Sequence, residues 1–113
     1  MTERDDTRRS PRIPCDLSME YQVKGDRPGE GRVIKLGTAG ALVTTEETVP
    51  LGAEMTLTFR LPLSKRPIRT VCTVRWVDDC SVGVEFAHLN LQEQDEIWKF
   101  YARESARQRR SRG

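Results

Sequence analysis

From Cys15 to Val23 the chain alternates without interruption: Cys15, Leu17, Met19, Tyr21 and Val23 are apolar, and Asp16, Ser18, Glu20 and Gln22 between them are polar. Successive side chains of an extended chain point to opposite faces, so this pattern buries one face as a half-exposed β-strand. The same period returns in Met55-Thr56-Leu57-Thr58-Phe59-Arg60-Leu61, with Thr56, Thr58 and Arg60 directed outward. Ile68 to Val77 alternates once more, although valine, cysteine or tryptophan occurs on both of its faces. Parity along these runs assigns Tyr21, Phe59, Trp76 and Phe86 to the core.

The stretch Gly31 to Thr44 is the organising hairpin. Its apolar runs Val33-Ile34-Leu36 and Ala41-Leu42-Val43 flank a turn with Gly37 and Gly40, where glycine lets the chain reverse without steric penalty. Small residues at the end of a sheet also let a flat or anionic ligand approach backbone N–H groups. Spacing alone favours a plain hairpin. Loops are expected at Lys24 to Glu30, Glu46 to Gly52 and Pro62 to Pro67, each carrying proline, and Asp78 to Ser81 turns the chain into Val82-Gly83-Val84-Glu85-Phe86. Short strands at such spacing predict an all-β, closed or nearly closed barrel. The period then changes. Asn90-Leu91-Gln92-Glu93 has the form of a capping box and opens a helix in which Ile97, Phe100 and Tyr101 share a face, with Trp98 beside them. This helix is expected to lie across the barrel and to fray beyond Ala102, where nothing apolar remains to bury.

A chain of 113 residues with 36% hydrophobic residues supports one modest core. Its net charge of +2 argues against a protein that coats nucleic acid. Aromatic residues assigned to the core leave no exposed stacking platform for bases, so no nucleic-acid partner is expected. Charge gathers at the ends: Arg103 to Gly113 carries five arginines against Glu104. Cys15, Cys72 and Cys80 form no CxxC pair, and their odd number suits neither a disulfide framework nor a zinc site, so reduced thiols are expected. The N-terminus has no apolar leader and no run approaches bilayer length, which predicts a cytoplasmic protein without membrane insertion.

Catalytic chemistry has little support. His88 is the one histidine, and no serine or cysteine stands in a nucleophile setting. Asp78-Asp79 reads as a turn rather than a metal or acid/base pair. No catalytic residue, metal ligand or cofactor is therefore assigned. Residues 1 to 12 read as a mobile charged arm holding Arg8-Arg9-Ser10-Pro11-Arg12, in which Arg8 and Arg12 could close on one anion from two sides.

An arginine arm, a strand, a glycine hairpin, further strands and then Val82-Gly83-Val84-Glu85-Phe86 before a final helix resemble the PilZ domain family over about Arg8 to Tyr101. The resemblance implies a six-stranded antiparallel barrel with a C-terminal helix, divided as a flexible arm 1–12, a PilZ-like domain 13–102 and a basic tail 103–113. It also implies cyclic di-GMP as ligand, held by an RxxxR motif on the arm and a [D/N]xSxxG motif on the hairpin. Arg8 and Arg12 match the first motif, with Arg9 beside them. The second falls on Lys35-Leu36-Gly37-Thr38-Ala39-Gly40: Gly40 is kept, Lys35 replaces the acidic or amide residue, and Gly37 replaces the serine. The implied function is a stand-alone signalling module, not an enzyme, acting through a protein partner in bacterial motility or surface behaviour, with weakened or lost cyclic di-GMP binding. The alternative is a functional receptor using Arg8 and Arg12 with an atypical second motif. Arg107, Arg109, Arg110 and Arg112 read as a solvated tail, with docking to an acidic protein surface as the other reading.

Overall fold

A computed structural model describes residues 12–79 and 81–112, the last three of these by backbone alone. The strands are β1 (Arg12–Val23), β2 (Gly29–Gly37), β3 (Gly40–Thr45), β4 (Glu54–Phe59), β5 (Ile68–Val77) and β6 (Val82–His88), followed by helix α1 (Leu91–Arg112). They close into a barrel in the order β1-β2-β3-β6-β5-β4. Every pair in it is antiparallel. β1 closes it, pairing with β2 along Arg12–Tyr21 and with β4 along Met19–Val23. The six strands and the C-terminal helix agree with the expected architecture.

Alternation in the sequence becomes an inward and an outward face. Met19, Tyr21, Met55, Leu57, Phe59, Ile68, Cys72 and Val74 are buried among the inward residues, whereas Glu20, Gln22, Arg69 and Arg75 are exposed. Burying a side chain of this kind contributes roughly 1.5–3 kcal/mol, so the barrel interior is the dominant favourable term. Two polar groups that enter it, on Tyr21 and Thr70, are hydrogen-bonded. The Tyr21 hydroxyl accepts from the backbone N–H groups of Glu46 at 3.1 Å and Glu47 at 3.3 Å, and Thr70 Oγ1 donates to the His88 carbonyl at 2.9 Å.

Parity fails at Trp76, assigned above to the core: it is 50% exposed. The β5–β6 register shifts between Val74 and Trp76, which places Trp76 opposite Gly83. A bulge turns the following side chains to the other face, and periodicity in the sequence does not reveal it. The capping box forms in both directions, with Glu93 N–H donating to Asn90 Oδ1 at 2.8 Å and Asn90 N–H donating to Glu93 Oε1 at 3.2 Å. α1 lies against β1 and β2 and buries Ile97 and Phe100, with Tyr101 half-buried at the edge. Beyond Ala102, where fraying was expected, the helix runs on to Arg112. Arg103, Glu104, Ala106, Arg107 and Gln108 are adequate helix formers, and an Arg107–Glu104 ion pair of 2.8 Å supports this stretch.

Two thiols are held in their protonated form. Burial pushes the Cys72 thiol up to about 12, and burial with the negative charges of Asp16 and Glu104 pushes Cys15 up to about 11. Above pH about 9 the unfolded chain releases these protons while the folded chain keeps them. Stability should therefore fall as pH rises from about 9 through 11. Urea unfolding across this window should show the decline in the native chain and a shallower one in Cys72→Ala. Parallel profiles for the two proteins would show that the Cys72 proton is not retained on folding.

Candidate functional site

Closure by β1 brings the start of that strand to the end of the β2–β3 hairpin. Arg12, counted with the arm above, is the first residue of β1 and stands opposite Gly37, the last residue of β2. Thr38 and Ala39 form the exposed turn. The Ala39 carbonyl accepts from Phe86 N–H at 2.9 Å, which ties the turn to β6.

Gly40 serves a different purpose from the one expected. Positive φ angles among the described glycines belong to Gly25 and Gly52, not to Gly37 or Gly40. At Gly40 the constraint is close approach: an added Cβ would run into the Val84 backbone carbonyl and lie 3.1 Å from Arg12 Nη2. The half-buried Arg12 guanidinium thus lies over the bare backbone of Gly40. Arg12, Gly37 and Gly40, named from the sequence alone, meet at one rim of the barrel.

Lys35 lies two residues before Gly37 on β2, across from Pro14 and Leu42, and is exposed. Leu36 between them is buried, so Lys35 belongs to the outer face that Arg12 borders. Its ammonium can only donate hydrogen bonds. Arg8 and Arg9 lie outside the described residues. Near the rim Glu85, paired with Gly40, accepts from Arg75 Nε at 2.8 Å.

The last turns of α1, read from the sequence as a frayed tail, border the same rim. Gln108 Nε2 donates to the Pro14 carbonyl at 3.3 Å. Glu104 accepts from Arg107, and that hydrogen bond together with the carboxylate charge raises the Arg107 pKa further. A clue was present in the sequence. Glu104 and Arg107 are spaced i, i+3 among helix-forming residues, which supports helix even where the apolar stripe has ended.

A family model for the PilZ domain matches residues 6–103. The chain belongs to the PilZ domain family. Among curated proteins no relative matches. Solved PilZ structures share the fold at low identity. The inhibitor of motility MotI/DgrA of Bacillus subtilis superposes with a TM-score of 0.77 at 18% identity, covering 96% of this chain and 54% of that one. This PilZ chain therefore spans about half of the Bacillus protein. The PilZ domain of YcgR from Escherichia coli, solved with c-di-GMP, gives a TM-score of 0.68 at 10% identity over 91% of this chain and 95% of that one. The PilZ domain of CeSA from a cellulose-synthesizing bacterium gives 0.62 at 15% identity over 80% of this chain and 93% of that one.

The rim geometry generates a double-mutant test. Gly40→Ala should cost about 2–3 kcal/mol in urea unfolding, the usual scale for overpacking a fixed backbone. Adding Arg12→Ala should recover little of it, because the harder clash is with the Val84 carbonyl and a backbone atom cannot swing aside. Full recovery in the double mutant would place the constraint on the guanidinium instead.

Proposed function

We propose that this PilZ protein is a regulatory module of bacterial motility or surface behaviour that works through protein contacts and binds cyclic di-GMP weakly or not at all. The observation that carries this reading is Lys35, a donor-only cation exposed on the outer face beside Arg12, at the position where the family motif has an acidic or amide acceptor. A guanine edge presents N–H donors to that position, so lysine sets donor against donor. Gly37 removes the serine hydroxyl as well. A lost hydrogen bond costs about 1 kcal/mol and a buried unmet donor about 1–3 kcal/mol more, together roughly 30- to 1000-fold in Kd.

Support for motility comes from the likeness to the Bacillus inhibitor of motility, and support for a nucleotide-related rim from the likeness to the YcgR domain solved with c-di-GMP. Arg12 favours the alternative of a working receptor. Its guanidinium lies on the hairpin backbone, where an arginine fork suits a phosphate or a guanine Hoogsteen edge, and Arg8 and Arg9 belong to the same motif. Retention of these arginines does not replace the missing acceptor.

Isothermal titration with cyclic di-GMP separates the two. The native chain should give no saturable heat in the low micromolar range, and Lys35→Asp with Gly37→Ser should gain at least about tenfold in affinity once its fold is verified by circular dichroism. Tight binding by the native chain that disappears in Arg8→Ala and in Arg12→Ala would establish the receptor instead.

A further inference from the structure

The loop between β4 and β5 holds a leucine in a conformation that leucine seldom takes. Leu63 has φ 71°, the one positive value among the described non-glycine residues, and its side chain is 86% exposed. The left-handed region is unfavourable for a residue with a Cβ, and glycine, asparagine or aspartate occupies it at lower cost. Burial cannot explain the choice, because the side chain contributes almost nothing to the core.

The loop is nevertheless built to hold this shape. Ser64 N–H donates to the Leu61 carbonyl at 3.1 Å, and Arg60 Nη1 donates to the Lys65 carbonyl at 3.2 Å. Ser64 Oγ lies 3.0 Å from both the Arg66 carbonyl and Glu96 Oε1, which fixes the loop to α1. Strain maintained by surrounding structure with no gain in packing points to a use for the side chain it presents.

Its neighbours indicate the use. Between the loop and α1 runs an open groove of about 570 Å³, with Pro62 and Leu63 in its lining beside the cations Lys65, Arg66, Lys99 and Arg103. The carboxylate in the groove, Glu96, is engaged by Ser64 and by Gln92 Nε2 at 3.5 Å. Along the outer ridge of α1, one heptad apart, stand Leu91 at 82% exposure and Trp98 at 56%. Trp98 stacks on Tyr101 with ring centroids 6.0 Å apart. Asp95 on that ridge is paired with Lys99 at 3.0 Å.

We propose that this face, with Leu63 at its tip, is a peripheral docking surface for an anionic lipid bilayer. Two features favour a bilayer over an acidic protein segment. Leu63, Leu91 and Trp98 stand largely in solvent rather than half-sunk in the surface, whereas residues that anchor a protein partner sit at the centre of well-packed, desolvated pockets. Cations on long stems are distributed over two elements beside a tryptophan and a leucine tip, which suits a field of lipid phosphates with an apolar layer beneath them. Insertion is confined to side chains, since no described helix is long and apolar enough to cross a membrane.

Co-sedimentation of the full chain with vesicles of equimolar phosphatidylcholine and phosphatidylglycerol tests this. The chain should sediment with these vesicles at low ionic strength at least about tenfold more strongly than with phosphatidylcholine alone, and added salt should release it. In a Trp76→Phe background, Trp98 emission should shift to the blue on binding. Leu63→Gly is the informative variant: it should raise Tm by about 3–5 °C by relieving the left-handed strain, yet weaken vesicle binding about tenfold. Lys65→Glu with Arg66→Glu should weaken it by at least about a hundredfold. Equal partition to both vesicle types, or binding that survives these loop variants undiminished, would overturn the proposal. So would absence of vesicle binding together with Lys65- and Arg66-dependent capture by polyglutamate, which would assign the face to an acidic polypeptide.

Discussion

Closure of the sheet through β1 is the constraint on which the rest of the molecule depends. One 12-residue strand pairs with β2 over its first part and with β4 over its last, so no sheet edge is left between them. Along its pairing with β2 the register of β1 shifts between Pro14 and Leu17. The shift leaves Arg12 opposite Gly37 and directs its guanidinium across to Gly40. A rim that joins the first residue of one strand to the hairpin of the next two is therefore a product of barrel closure and not of local sequence.

Close backbone approach recurs where strands meet. A Cβ at Gly31 would run into the Thr44 carbonyl, and one at Gly40 into that of Val84. Both glycines lie in strands rather than turns, and both permit contacts that any side chain would prevent. The exposed ion pairs, Arg32 with Asp16 and Arg75 with Glu85, add little by comparison, since pairs in water seldom contribute more than about 1 kcal/mol. Stability resides in the barrel interior and in the seal made by Ile97 and Phe100.

Much of this architecture was legible in the sequence. Strict alternation from Cys15 to Val23 and from Met55 to Phe59 gave strands and their inner faces, and Asn90 with Glu93 marked the helix start. Three features were hidden for physical reasons. A bulge moved Trp76 outward, and bulges leave no periodic trace. The helix continues past Ala102 because propensity and the Glu104–Arg107 pair support it after the apolar stripe ends. Gly40 looked like a turn glycine, because conformational freedom and close approach demand the same residue. Of the residues that the resemblance names, Arg12, Gly37 and Gly40 lie together at the rim, whereas the border formed by Gln108 was not foreseen.

On the proposed function, the rim keeps the arginine half of the family's nucleotide motif while Lys35 and Gly37 stand in place of its acceptor half. A ¹H–¹⁵N correlation titration of the native chain with cyclic di-GMP tests it most directly, because the amides of Gly37, Thr38, Ala39 and Gly40 report from the rim itself. Shifts there should be small and should not saturate, with core amides such as those of Leu57 and Val84 unmoved. Saturating shifts confined to Gly37–Gly40 and Arg12 at near-stoichiometric ligand would contradict it, since the rim would then hold the nucleotide without the missing acceptor.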